Sequence, residues 1–111
     1  MSMSRAEALK QIVTVGDNKE QAYRDLLTYP HHSDTVYLEV TVTVLVDVLT
    51  MYLDDKFSAD ELEMWAEFIE SRDDIDGSDV EDYLYALANP LLLAEINKPY
   101  IQKMLALLSA Q

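Results

Sequence analysis

Apolar residues recur along most of this chain at the three- and four-residue spacing of an amphipathic helix, and short polar joints separate the apolar segments. Only two Gly and three Pro interrupt the pattern. Two short helices are predicted first, over residues 4–13 and 18–28, with a break at Gly16 and a further joint over residues 29–33. The pattern therefore indicates a bundle of helices.

The apolar segment 35–53 is harder to interpret, because residues 40–44 alternate Val and Thr as a β-strand does. The whole segment is longer than a typical strand, and Leu38, Val42 and Leu45 recur at helical spacing. We therefore predict a central helix over residues 35–53, apolar on nearly all sides. A strand over residues 40–44 is the alternative.

The clearest helix start lies at Ser58. With Glu61 it has the pattern of a capping box, and Phe57 and Leu62 occupy the positions of a hydrophobic staple. The helix that follows has an apolar stripe, which places its tryptophan in the core rather than at a contact surface. The stripe consists of Leu62, Trp65 and Ile69.

Two more helices are predicted after this one. Ser78 and Glu81 repeat the capping-box pattern and begin a helix that ends at Asn89-Pro90, and a last helix follows Pro99, which the first turn tolerates. The side chains expected to face inward are Val80, Tyr83, Leu84 and Leu87 in the first helix and Ile101, Met104, Leu105 and Leu108 in the second.

These segments predict an all-α, single-domain bundle of five to six helices around a central apolar helix, spanning residues 1–111. Half of the residues are apolar, which argues against disorder. The absence of Cys excludes disulfides and thiolate metal sites and fits the cytoplasm. We see neither a signal peptide nor a membrane-spanning segment in the sequence.

Charge is concentrated in one part of the chain. Residues 54–82 carry thirteen of the 21 carboxylates and only two cations, Lys56 and Arg72, so this stretch has a net charge of -11 out of -13 for the whole protein. Such an acidic block either binds a basic partner or only keeps the protein soluble. The acidity argues against direct binding to nucleic acid or to an anionic membrane.

Four of these carboxylates are spaced by three, four and three residues, which stacks them on one outward helix face without an intervening cation. The acidic pattern continues through the next loop and into the next helix, where a tyrosine off the inner face resembles a binding anchor. The candidate partner-binding residues are Asp60, Glu63, Glu67, Glu70, Asp73, Asp74, Asp76, Asp79, Asp82 and Tyr85.

No pattern in the sequence points to a metal, a cofactor or an active site. If Gly77 is the sixth residue of a calcium loop, Arg72 and Tyr83 fall at the first and twelfth positions, where an EF-hand needs carboxylates. His31 and His32 are neighbours in one loop and are expected to be exposed or capping. Nucleophile-elbow and phosphate-loop motifs are absent, so we predict a protein without catalytic residues, metal or cofactor.

Two stretches, FSADELEMWAEFIESRDDI over residues 57–75 and LANPLLLAEINKPYIQKMLALL over residues 87–108, resemble small acidic helical immunity proteins of bacterial contact-dependent growth inhibition and related polymorphic toxin systems. The resemblance implies a cytoplasmic protein that binds the toxic C-terminal domain of a delivered effector, commonly a nuclease, and blocks its active site. It assigns no functional residue, because these families diversify at the contact surface.

Two functional hypotheses follow. The first is an immunity protein that binds and inhibits a basic toxin domain, a nuclease, through the acidic surface from Asp60 to Asp82, as a monomer in a 1:1 complex that salt weakens. The second is a non-enzymatic helical adaptor or regulatory subunit that binds a protein partner through an apolar face, in a complex that salt does not weaken.

Overall fold

The computed structural model describes residues 3–30 and 33–110. Within these residues the chain forms six α-helices, two very short strands and one 3-10 helix. In chain order they are α1 (Arg5–Val13), α2 (Lys19–Leu26), β1 (Leu38–Glu39), α3 (Val42–Leu53), α4 (Ala59–Glu70), β2 (Ile75–Asp76), the 3-10 helix Ser78–Val80, α5 (Glu81–Ala88) and α6 (Lys98–Ser109). The prediction of an all-α bundle of five to six helices is confirmed.

Apolar side chains from all six helices meet in one buried cluster. Three helix pairs pack closely, α1 with α2, α4 with α5, and α3 with α6. Trp65 of α4 is only 3% exposed, and its indole N–H donates a hydrogen bond of 2.9 Å to the Val13 carbonyl at the end of α1. Trp65 is thus a core residue, as predicted, and its polar group is satisfied inside the protein.

The predicted capping box at Ser58 is present. The Ser58 hydroxyl accepts a hydrogen bond from the Glu61 N–H, and the Glu61 carboxylate accepts one from the Ser58 N–H, both at 3.1 Å. Phe57 and Leu62, the predicted staple residues, are both buried. The capping box therefore satisfies two N–H groups at the start of α4. The burial of Leu62 fixes which side of α4 faces the core.

The prediction of one helix over residues 35–53 is wrong for its first part. Residues 38–39 form β1, which pairs in parallel with β2. Thr41 then caps α3 by accepting a hydrogen bond from the Val44 N–H, so the helix begins at Val42 and the alternative of a strand over residues 40–44 is wrong as well. Residues 35–53 do not form one helix because the Thr41 cap starts α3 only at Val42 and because β2, distant in sequence, pairs with the extended residues before it.

The second predicted capping box does not form. Ser78 begins the 3-10 helix, α5 begins at Glu81 without a side-chain cap, and the Ser78 N–H donates to Asp76 Oδ1 at 2.9 Å instead. This turn sets the direction in which α5 leaves the strand pair. Of the side chains predicted to face inward on this helix, three are buried and one is half-buried: Val80, Leu84 and Leu87, and Tyr83.

A buried charged cluster joins α1 to the loop after α4. The Asp74 side chain is fully buried and accepts hydrogen bonds from Arg5 Nε at 2.9 Å and from Arg72 Nε and Nη2 at 2.8 and 2.9 Å. Arg5 also donates to the Pro30 carbonyl at 2.8 Å. Burial by itself would raise the pKa of Asp74, but the hydrogen bonds from Arg72 and Arg5 outweigh it and lower the pKa below the usual value.

The prediction that Asp74 belongs to the acidic surface is therefore wrong. Its carboxylate faces the interior because two arginines, one of them far away in sequence, enclose it. The predicted joint at His31 and His32 lies outside the described residues.

Candidate functional site

The outer side of α4 carries the four carboxylates that the sequence placed there, and we call this surface the α4 face: Asp60, Glu63, Glu67 and Glu70. Three of them are exposed and Glu63 is partly exposed. Within residues 3–30 and 33–110, none of the four forms an ion pair. Met64 lies between them in sequence and is 59% exposed, so the α4 face offers an apolar contact beside its charges.

The carboxylates of the α4 face interact with one another. A side-chain hydrogen bond to Glu67 raises the pKa of Glu63, with desolvation and the negative charges of Glu67 and Asp60 acting in the same direction. Desolvation alone raises the pKa of Glu70. The α4 face thus contains like charges that destabilise each other in the free protein, and a cation from outside would relieve this repulsion.

A second group of carboxylates surrounds the turn before α5, and we call it the turn cluster: Glu39, Asp76 and Asp79. The β1–β2 pairing places Glu39 opposite Asp76. A side-chain hydrogen bond to Asp79 raises the pKa of Glu39, and the charges of Asp79 and Asp76 add to the effect. Asp76 behaves differently, because hydrogen bonds from the Ser78 side chain and backbone lower its pKa.

Glu39 was not identified as a site residue from the sequence, because it fell within the predicted central helix, far from the acidic block. No local signal could have found it, since it joins the turn cluster only through the pairing of β1 with β2. Asp73, by contrast, is exposed on the loop after α4, where the sequence predicted it.

The internal pairing of Arg72 leaves the acidic stretch more uniformly negative at its surface. Arg72 and Asp74 neutralise each other inside the protein, so the -11 of residues 54–82 resides on the remaining side chains. Besides Arg5, which pairs with the buried Asp74, cations from outside the stretch pair with two carboxylates at its surface, Lys98 with Asp55 at 3.0 Å and Lys19 with Glu61 at 3.9 Å. Neither of these carboxylates belongs to the α4 face or to the turn cluster.

A groove of about 600 Å³ lies between the start of α5 and α6, and we call it the α5–α6 groove. Asp79 and Asp82, two predicted site residues, line its acidic side. Its apolar and aromatic lining comes from both helices and includes Tyr83, Ala86, Tyr100, Met104 and Leu107. Leu107 is 61% exposed. It lies off the inner side of α6, and this position in the sequence indicates that the helix has a second apolar side.

Tyr85 lies on the outer side of α5, where it is 49% exposed. It follows Glu81 and Asp82 by one helical turn, so its ring is flanked by carboxylates on the helix surface. The sequence prediction that Tyr85 lies off the buried side is confirmed. It does not line the α5–α6 groove, whose tyrosines are Tyr83 and Tyr100.

No group of three or more potential metal ligands is found in the described part of the chain. Nor is any helix of residues 3–30 and 33–110 long and apolar enough to cross a membrane. Comparisons with protein-family models, curated proteins and solved structures found no match. The surfaces described above offer carboxylates to cations and a partly apolar groove lined by two of those carboxylates.

Proposed function

We propose that this chain is an immunity protein that binds and neutralises a cognate bacterial toxin domain, a nuclease, without catalysis of its own. The contact uses the acidic surface formed by the α4 face, the turn cluster and Asp82, in a 1:1 complex in the cytoplasm. The observation that carries the proposal is the arrangement of charge. Of the two cations within the acidic stretch, Lys56 and Arg72, the one that lies beside the α4 face and the turn cluster in sequence, Arg72, is paired with the buried Asp74.

The energetics of the free surface support a basic partner. Glu63 and Glu67 lie close enough to share a hydrogen bond, as do Glu39 and Asp79, although neither pair has a cation beside it within the described residues. Such pairs cost stability in the free protein, so selection for stability alone would not retain them. A partner's Lys or Arg side chains would turn this repulsion into attraction on binding.

A nuclease domain has the matching chemistry. A site that holds phosphates is lined by basic side chains, and an acidic protein surface can occupy the same field as the nucleic acid. Long-range attraction between the two surfaces also speeds their encounter, which suits an inhibitor that must act before the toxin does. The resemblance of residues 57–75 and 87–108 to immunity proteins points to the same class of partner.

An apolar surface supports the second candidate, a helical adaptor. Leu91, Leu92 and Leu93 follow α5 in a loop, and all three side chains are exposed. An adaptor that binds through them would form a complex that salt does not weaken, and reversal of charges on the α4 face would leave binding intact.

The test is a pull-down with the tagged protein from its native lysate at low and at high salt, with captured proteins identified by mass spectrometry. The wild type is expected to recover a basic toxin domain that is lost as salt rises. The variant Glu63→Lys, Glu67→Lys and Glu70→Lys is expected to recover none, and coexpression of the variant should not protect cells from that domain.

A matched control reverses three exposed carboxylates outside the acidic stretch, Asp17→Lys, Asp47→Lys and Glu95→Lys. It changes the net charge by the same amount and is expected to keep both capture and protection. Equal loss in both variants would mean that only total charge matters. Salt-resistant capture of a partner without nuclease character, removed by Leu92→Glu but not by the α4 reversal, would favour the adaptor.

A further inference from the structure

The lining of the α5–α6 groove is of two chemical kinds. Asp79 and Asp82 come from the 3-10 helix and the start of α5, Met104 and Leu107 come from α6, and two tyrosines, Tyr83 and Tyr100, complete the lining. We infer that this groove is the anchor site for an arginine-bearing amphipathic segment of the partner protein. The inference deepens the proposed function and rests on it in one respect, that the partner is a basic protein.

The charges of the groove are available to a ligand. Lys103 lines the same groove, yet within residues 3–30 and 33–110 it forms no ion pair with Asp79 or Asp82. The side-chain contact of Asp79 is with another carboxyl group, that of Glu39. A guanidinium is planar and has five N–H donors, so it can bind several carboxylate oxygens at once, which suits a groove lined by two aspartates.

The aromatic rings of the groove suit the same group. Tyr83 and Tyr100 are half-buried, so each offers part of a ring face to a guanidinium. Both arginines that bind Asp74 also lie near an aromatic ring: the Arg72 guanidinium is 5.3 Å from the Phe68 ring centroid, and that of Arg5 is 5.1 Å from the Tyr37 ring centroid. An arginine with both a carboxylate and an aromatic ring close to its guanidinium is therefore an arrangement that this fold already contains.

The apolar side of the groove explains why the occupant is a segment and not a free cation. Leu107 is 61% exposed and adjoins Met104 across one helical turn. A leucine-like side chain one turn from the arginine would cover Leu107, burying apolar surface that now faces solvent, whereas Met104 is already buried. Arginine and tyrosine, the residues that would meet in this groove, are among those enriched at the hot spots of protein interfaces.

The test is an NMR titration of the isotope-labelled full chain with a synthetic helical peptide that has Arg and Leu on one face. A second peptide replaces every Arg with citrulline, which keeps the shape and removes the charge. We expect saturable shifts of the Tyr83, Tyr100 and Leu107 amides, and about tenfold weaker binding of the citrulline peptide, as the loss of a charged hydrogen bond predicts.

Variants of exposed groove residues sharpen the test, because they should act in opposite directions. Asp82→Asn and Leu107→Glu are expected to weaken binding about tenfold, and Lys103→Glu to strengthen it, an outcome that misfolding cannot produce. The control Leu92→Glu alters an exposed leucine away from the groove and is expected to bind as the wild type does.

Three results would overturn the inference. They are shifts confined to the α4 face, equal affinity for the citrulline peptide, and groove shifts that depend on protein concentration without peptide, which would identify a second copy of this chain as the occupant. Its failure is separable from that of the proposed function. If Leu107→Glu still captures the toxin domain and the triple α4 reversal does not, the groove is wrong and the immunity role stands.

Discussion

Replacement of Asp74 by Asn should destabilise this protein more than any other single removal of charge in its acidic stretch. The carboxylate is fully buried and accepts three hydrogen bonds of 2.8–2.9 Å from Arg5 and Arg72. An amide keeps the shape but offers one oxygen, and its NH₂ group faces guanidinium donors. Even with its oxygen at the Oδ2 position, the amide loses the hydrogen bond from Arg72 Nε, and positive charge remains buried without its partner.

The size of the effect follows from these contacts. Each hydrogen bond to a charged group contributes about 1.5–3 kcal/mol, and removal of one partner of a buried ion pair costs about 3–5 kcal/mol. We therefore expect Asp74→Asn to lower the free energy of unfolding by about 3–5 kcal/mol, a large part of the 5–15 kcal/mol typical of a domain. Since the backbone carbonyl of Asp74 also accepts the N–H groups of Tyr37 and Leu38, the β1–β2 pairing should loosen with it.

Urea unfolding measures this directly. With a slope near 2 kcal/mol per molar urea, the expected loss moves the midpoint by about 2 M. The control is Asp47→Asn, an exposed carboxylate on α3, which should change the free energy of unfolding by less than about 0.5 kcal/mol. A loss below about 1 kcal/mol in Asp74→Asn would refute the assignment of Asp74 as a buried partner of both arginines.

The pH dependence supplies an independent check. The pKa of Asp74 is lowered in the folded protein, so its contribution is fully present above the unfolded pKa, near 4, and is lost as pH falls through the lower folded pKa. The stability gap between wild type and Asp74→Asn should therefore be constant at neutral pH and shrink in acid. A gap that stays the same down to strongly acidic pH would contradict the charge-based explanation.

Two further changes test local features of the site. Ser58→Ala removes half of the capping box and should lower the free energy of unfolding by about 1 kcal/mol in urea; an effect no larger than that of Ser109→Ala, whose hydroxyl bonds only the Leu105 carbonyl, would count against the cap. Glu67→Gln removes the neighbouring charge and supplies an amide donor, so the pKa of Glu63, followed by NMR of its carboxyl carbon, should fall from its raised value. An unchanged pKa of Glu63 would mean that Glu67 does not cause the shift.

The two proposed contact regions would play different roles in one complex. The α4 face is exposed and highly charged, so it acts on the approach of a basic partner and is sensitive to salt. The α5–α6 groove combines charge with apolar surface and would set how long the complex lasts. Reversal of charges at Glu63 and Glu67 should then slow association, whereas Leu107→Glu should speed dissociation.

Local sequence signals determined most of the helices and the placement of charge on α4. The capping box at Ser58 and the period of Leu62, Trp65 and Ile69 act within one or two turns, so they were readable before any fold was known. The same period put Glu63 and Glu67 on the outer side of that helix. Helix starts and helix faces depend on neighbours three or four residues away, which a sequence displays directly.

Only the tertiary structure decided which carboxylates are surface charges and which segments are extended. Asp74 looks in sequence like its acidic neighbours, but Arg5 approaches it from the other end of the chain and withdraws it from the surface. Glu39 looks like part of a helix, but pairing with residues 75–76 makes it a member of the turn cluster. Both outcomes depend on contacts between residues more than thirty positions apart. Such contacts form only when the chain folds, so the local periodicity of the sequence cannot reveal them.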